Sequence, residues 1–540
     1  KLGGQNSNNA TLTLINQGTI KGKIGIENGG SNFNGTITVK TFENKSGGTI
    51  DGHIEMQLNN NNNTGTISIE NFSNEGTIKG KVGMQVNEDQ NTGTIIVNTF
   101  HNKSGGTIDG RVYYGWSNKG TISVENFNNE GTINYNNTSN GGKAAVEFEK
   151  INATIKTFSN SGTITGESAQ GVYFQGNVHI QTFHNTGTGF ITGYGANSAT
   201  NQGLRTGGGV VMTGGTIETF KNSGTITSNT EESQHYPAGV KLDYATVKTF
   251  ENTGTISGPF GFITTQGTID TFINKGIIES KGKSYDGKEA AIRIQTAMTS
   301  VSTITHLINE GTIKSDSHNG ILIESGNKIG TIINKGTIET KLNGISFFDY
   351  GPGSSPEETQ LGKIILEPGS SIKAEKNGID IDVKTTKTIK ADGIEVKAGA
   401  SVSGGEAGIY LAKGDEIKAP ITVSGTVSGG NAGIVNEGKM AKGITHNGEA
   451  ELVISNQGLV GEGNDGNTVA NNGSGSVRIK EWLVTTNEEG KLRTVHVGGS
   501  NTANVRVSHI TVDQRGLDIN ELNDITNIIS GVSTNNIANV

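Results

Sequence analysis

The chain has 540 residues, a formal net charge of -8, 17% charged and 31% hydrophobic residues, 82 Gly, 6 Pro and no Cys. The acidic balance, with no clustered run of Lys and Arg, argues against nucleic acid as a partner. The absence of any stretch of 18 apolar residues excludes a membrane-spanning helix. So low an apolar fraction suits a repeat array with a core one side chain wide better than a thick globular core. Zero Cys is compatible with export through an oxidising compartment. The start at Lys1, without methionine or apolar leader, reads as a mature segment.

From about residue 10 to about 340 one phrase recurs, Thr-Phe-x-Asn-x-Gly-Thr-Ile, almost unbroken at 157–164, 219–226 and 249–256. Its aromatic anchors, Phe42, Phe72, Phe100, Phe127, Phe158, Phe183, Phe220, Phe250 and Phe272, are spaced by roughly 22 to 37 residues, the range of solenoid repeats. Asn follows each anchor two places on, as in Phe158 and Asn160, Phe220 and Asn222, Phe250 and Asn252. Positions i and i+2 share a strand face, so ring and amide are both expected inside as structural residues. The three-residue step from Ile155 to Phe158, or Ile217 to Phe220, does not fit one straight strand and places a corner between them. Asn-x-Gly then supplies a second bend, and Gly-Thr-Ile opens the next strand.

A third strand follows a variable stretch, with alternating apolar pairs at Val146 and Phe148, Val172 and Phe174, Val240 and Leu242, Ile292 and Ile294, Ile321 and Ile323, Ile345 and Phe347. The predicted fold is therefore all-β: a right-handed parallel β-helix with three short strands per rung and a carboxy-terminal cap, the handedness following from the crossover rule. Roughly 15 to 18 rungs at about 4.8 Å each are expected. Pro first occurs at 237, consistent with an unbroken ladder before it. The variable stretch lengthens at 194–208, 228–238 and 281–289, which are read as loops, and 347–360 is the clearest interruption. Residues 1–475 are assigned to the β-helix, regular to about 340 and looser after 347–360. Residues 476–540 are assigned to a cap or folding segment, with hairpin-like alternation from Val477 to Val512, turns at Glu489-Gly490 and Gly498-Gly499, and helix signals at 518–522.

Chemistry-bearing residues are sparse. Asp380 with Asp382, Glu395, and Asp316 with His318 are the candidates for a carboxylate-based acid and base, but Asp380 and Asp382 alternate with Ile379 and Ile381 and read as the wet side of a strand. No Gly-Asp-Ser-Gly or Gly-x-Ser-x-Gly nucleophile segment occurs. His101 and His184 sit between Phe and Asn, on the outward face, and Gly461 to Gly466 is a lone loop rather than a tandem calcium repeat. No catalytic residue, metal or cofactor is assigned. Aromatics outside the anchor column carry the remaining weight. Tyr194, Tyr236, Tyr285 and Tyr350 fall in variable stretches and are the candidate partner-binding residues, whereas Tyr114 and Trp116 are read as core fillers.

The Phe-x-Asn-x-Gly-Thr-Ile rungs, the lack of Cys, the scarcity of Pro and the non-repetitive carboxy-terminal segment resemble the passenger domains of type V autotransporters, in particular the adhesin and vacuolating-cytotoxin-like group of Campylobacter and Helicobacter. The resemblance spans about residues 10–475. It implies a bacterial surface-attached or extracellular passenger exported through its own outer-membrane translocator barrel, with a carboxy-terminal segment that nucleates folding. The expected function is a non-enzymatic adhesin that binds a protein or glycan receptor on host or sister cells. A secreted cytotoxin-like effector is the alternative, and a carbohydrate-active β-helix enzyme comes third.

Overall fold

The computed structural model describes residues 9–540 apart from 29, 60–61, 88–89, 117–118, 137–142, 195–206, 230–235, 283–288, 297–299, 349–358, 383–388 and 519–524. The chain forms two compact units, Lys1–Tyr285 and Asp286–Val540.

In the first unit each repeat lays down three strands. Strands such as Asn152–Asn160, Thr216–Asn222 and Thr246–Asn252 build a first sheet, Thr163–Gly166, Thr225–Ser228 and Thr255–Gly258 a second, and Gln170–Gln175, Ala238–Asp243 and Phe260–Thr265 a third. Each strand pairs in parallel with the equivalent strand of the next rung, Phe over Phe and Asn over Asn, as in Phe158 with Phe183 and Asn222 with Asn252. The fold is a parallel β-helix with three strands per rung, as the repeat predicts.

The corner expected between Ile155 and Phe158 is present but does not divide the strand. Asn152–Asn160 is continuous, its buried side chains being Ala153 and Ile155, then Phe158 and Asn160. Pairing to the preceding rung steps from Val124 with Ile155 to Asn126 with Thr157. Successive rungs kink at the same step, so the bend costs no register.

The inward side chains form columns. From Phe42 to Phe272 neighbouring rings stack at centroid distances of 4.5–4.8 Å with planes 5–10° apart. Each such pair is worth about 0.5–1.5 kcal/mol beyond area burial. From Asn16 to Asn274 each Nδ2 donates to the Oδ1 of the next rung's Asn at 2.7–2.8 Å. Nδ2 also reaches turn carbonyls, as from Asn222 to Gly224 at 3.2 Å and to Thr255 at 3.1 Å. The Gly after the Asn is required by close approach: a Cβ on Gly224 would lie 2.2 Å from the carbonyl oxygen of Gly189.

The second unit keeps the ladder and changes its filling. Leu307, Ile332, Ile364 and Ile394 succeed one another in the anchor position. The amide column runs from Asn309 to Asn334 at 2.8 Å and ends where Leu366 follows. The aliphatic filling thus begins at Leu307, ahead of the looser sequence after 340, and continues through it at Ile364 and Ile394; of the predicted interruption at 347–360, residues 349–358 lie outside the described residues. The alternation from Val477 to Val512, expected as hairpins, is parallel instead. Val477–Val484 pairs with Leu452–Asn456, and both Val505–Val507 and Ile510–Val512 pair with Val477–Val484. Alternation records which face is buried, not which strand lies alongside, and here the partner is the previous rung. Of the two expected turns, only the one at Glu489-Gly490 closes on itself, through an antiparallel bridge between Thr486 and Leu492. Of the helix signals at 518–522, all but Asp518 lie outside the described residues.

Replacing Asn222 by Ala strips the amide that accepts from Asn185 and donates to Asn252, Gly224 and Thr255, and is expected to cost about 1–3 kcal/mol. Lys221→Ala, next door on the outward side, should change stability by no more than about 0.5 kcal/mol. Denaturant titration of both variants checks this; equal losses would contradict the inward assignment.

Candidate functional site

The third sheet differs from the other two in being buried on both faces. Its strands read as unbroken buried runs, as in Ile54–Leu58 and Val82–Val86. Along its outer column Glu55, Gly83, Tyr113, Glu147, Tyr173, Val211 and Lys241 follow one another in register. Charged groups taken out of water must be paired, and these are. Lys23 and Lys81 clamp Glu55, Lys81 at 2.8 Å; burial alone would raise the Glu55 carboxyl, but the bonds from the two lysines outweigh it and hold it below its ordinary range. Arg111 Nη1 donates to Glu147 Oε2 at 3.0 Å and its guanidinium lies 4.5 Å from the Tyr113 ring centroid. Lys143 Nζ donates to Glu149 Oε1 at 2.7 Å, and its backbone N–H donates to Glu147 Oε2 at 3.1 Å.

Glu147 and Glu149 share this face two residues apart. Burial, reinforced by the charge of Glu149, pushes Glu147 well above the carboxylate range to about 7. Glu149 is held below its usual value, its burial being outweighed by Lys143. Opposed shifts of this kind mark acid and base pairs in enzymes, but Glu147 is 0% exposed, so its carboxyl is closed to a substrate.

Basic residues line the crease between the second and third sheets. Lys23, His53, Lys81 and Arg111 each immediately precede a third-sheet strand and stack rung on rung, the N–H of the following residue bonding the next rung's carbonyl: Ile24 to His53, Ile54 to Lys81, Val82 to Arg111. Beside them opens a cleft of about 460 Å³ lined by His53, Glu55, Lys79, Lys81, Arg111 and Tyr135, among others. No run of Lys and Arg marks this row in the sequence. Its signal is the phrase Lys21-Gly22-Lys23, Asp51-Gly52-His53, Lys79-Gly80-Lys81 and Asp109-Gly110-Arg111, in which one basic residue per repeat follows the Gly.

Of the four predicted partner-binding tyrosines, Tyr194 and Tyr236 are among the described residues. Tyr194 is half-buried, its hydroxyl accepting from Asn229 Nδ2 at 3.4 Å. Tyr236 packs edge-on against Phe260 at 5.9 Å, and Tyr285 and Tyr350 lie outside the described residues, as do the central parts of all four predicted loops. Phe158, Asn160, Phe220, Asn222, Phe250 and Asn252 are all buried in the columns. Tyr114 fills the core, stacked on Phe148 at 4.3 Å. Trp116 does not: it is 54% exposed at the end of its strand. Asp380 is a second correction, being buried rather than wet. Its carboxylate accepts from Asn343 and Asn377 at 2.8 Å and from Ser346 at 3.2 Å, and burial raises its pKa despite those donors. Asp316 pairs with Lys314 while His318 turns to Glu289, Glu395 pairs with Lys363, and His101 meets Glu130. His184 stands half-buried beside Lys221, burial and that charge lowering its pKa. Asp465 accepts from its own turn, at Asn467 N.

Among the described residues no helix is long and apolar enough to cross a membrane, and no group of three or more His, Asp and Glu is placed to hold a metal ion. Comparisons with protein-family models, curated proteins and solved structures return no match.

Because Glu147 binds its proton more tightly folded than unfolded, the native state holds a proton the unfolded chain has lost between about pH 4.5 and about 7, and stability falls as pH rises through that window. Glu147→Gln removes this slope. The thermal midpoint of the variant relative to the parent should therefore climb from pH 4.5 to 7; a constant gap across that range would show that Glu147 titrates normally.

Proposed function

We propose that the chain is a β-helical passenger of the autotransporter type, displayed on or released from a bacterial surface, that acts as an adhesin toward host or sister cells. One observation carries this reading: in the Lys1–Tyr285 unit the connections that vary most in length lead into or out of a third-sheet strand, from Asp51 to Ile54 against Gly193 to Gly208 before one, and from Thr213 to Thr216 against Leu58 to Thr66 after one. The turns between the first and second sheets stay short, from Asn-x-Gly at 74–76 and 222–224 to Asn-Lys-Ser-Gly-Gly at 44–48 and 102–106, and a Cβ on the last Gly of each meets a carbonyl. Trp116 and Tyr244, 54% and 61% exposed, directly follow the third-sheet strands Val112–Gly115 and Ala238–Asp243. Variable segments and exposed aromatics on a rigid scaffold are the usual composition of a recognition surface.

The reading assigns the chain to the cell exterior, with a translocator barrel as the partner that exports it and a protein or glycan receptor as its target. A cytotoxin-like effector is the second reading, supported by the same repeat style. A carbohydrate-active enzyme is the weakest, because Glu147, one of the two carboxylates with opposed shifts, is closed to a substrate.

Attachment of the purified chain to cultured host cells and to bacterial cells tests it. Changing Trp116, Tyr194 and Tyr244 to Ser should weaken attachment at least tenfold, about 1.4 kcal/mol, with the thermal midpoint little moved; Tyr236 is left intact because it packs on Phe260. Attachment that survives this change but is lost on neutralising Lys221 and Glu251 would move the binding surface to the first sheet. Vacuole formation without stable attachment would favour the effector reading.

A further inference from the structure

We propose that the crease between the second and third sheets of the Lys1–Tyr285 unit is a binding site for an anionic saccharide chain, laid along the row Lys23, His53, Lys81 and Arg111. The site is separate from the exposed aromatics above and stands or falls independently of the attachment reading. Its first support is linear: one basic residue per rung, at the strand spacing of about 4.8 Å, presents donors in a line, which suits an extended polyanion better than a point anion.

The second support is the floor. A Cβ on Gly52, Gly80 or Gly110 would lie 2.2, 2.6 or 2.4 Å from the carbonyl oxygen of the Gly one rung before. Side chains are therefore excluded from the bottom of the crease, and a ligand can approach the backbone closely. Two buried acids hold the cations in place: Glu55 is clamped by Lys23 and Lys81, and Glu147 Oε2 accepts from Arg111. Lys79 stands exposed on the lip, with Asp51 and Asp109 exposed on the neighbouring rungs and Asp109 also lining the cleft.

The third support separates a saccharide from a bare anion. The wall carries the half-buried ring of Tyr135 and the amide of Asn134, whose Nδ2 donates to Glu167 Oε1 at 3.3 Å while its Oδ1 is buried without a hydrogen-bond partner. An unpartnered acceptor needs a donor. Phosphate diesters, sulfates and carboxylates offer only acceptors at neutral pH, whereas a sugar offers hydroxyls beside its charged group and a C–H face for the Tyr135 ring.

Titration calorimetry of the purified full chain tests this with a hexagalacturonate, a heparin-derived hexasaccharide, a neutral maltohexaose and a single-stranded oligonucleotide of equal charge. At least one of the two anionic saccharides should bind, more weakly as salt rises, and far more tightly than the neutral sugar or the oligonucleotide. Preference for one identifies carboxylate or sulfate as the recognised group. Lys79→Ala with Tyr135→Ala should weaken binding at least tenfold. Lys79→Ala alone, at an exposed position that leaves the fold untouched, should weaken it at least threefold. The proposal is overturned if neither anionic saccharide binds, if both variants bind as tightly as the parent, or if the oligonucleotide or neutral sugar binds equally well.

Discussion

Everything in this protein depends on identical groups stacking on one another at the spacing of parallel strands. An Asn side chain carries a donor and an acceptor in one plane, so an amide translated along the stack meets its own complement. That is why the column from Asn16 to Asn274 closes at 2.7–2.8 Å throughout. The same translation brings the Phe rings into offset stacks. A lone buried amide would be a liability of a few kcal/mol, but a column satisfies every member except at its ends. Even there the amide is not stranded: Asn334, the last before Leu366, donates to the carbonyls of Gly336 and Ser371.

The stack dictates where the chain is free to vary. An extra residue within a strand would throw the inward columns out of register, and the corner after Asn is closed by a Gly with a carbonyl 2.2 Å from where its Cβ would be. In the Lys1–Tyr285 unit the larger length changes are left to the two ends of the third sheet, where the chain passes between sheets without a column to preserve. The sheet flanked by those changes is also the one whose outer face is withdrawn from water, and so the one that accumulates buried charges: Glu147 with Arg111 in the first unit, Glu324 with Arg293 in the second.

Repetition also turns a weak local preference into a long-range electrostatic feature. A chain with net charge -8 has no basic run, yet a single Lys, His or Arg after the crease Gly becomes a row once the rungs stack. The carboxylates Glu55 and Glu147 that anchor the row lie beneath it, while Asp51 and Asp109 share its exposed edge with Lys79. The cleft beside Tyr135 is a product of stacking alone, since no repeat contains more than a fraction of it.

The repeat phrase by itself determined the fold class, the three-strand rung and the inward placement of Phe158, Asn160, Phe220, Asn222, Phe250 and Asn252, because side-chain alternation and Gly-bearing turns are local properties of the strand. Partnership was not legible. The alternation at Val477 to Val512 suits a hairpin as well as a stacked rung, Asp380 alternates like a solvent-facing residue yet is covered, and Trp116 repeats the core pattern one place beyond where the strand ends. Arg111 and Glu147 lie 36 residues apart in the chain and 3.0 Å apart in space, a proximity that depends on the length of the intervening rung. Periodicity records which face of a strand is apolar; which outward groups meet across rungs, and which of them lose their water, was decided only by the tertiary stack.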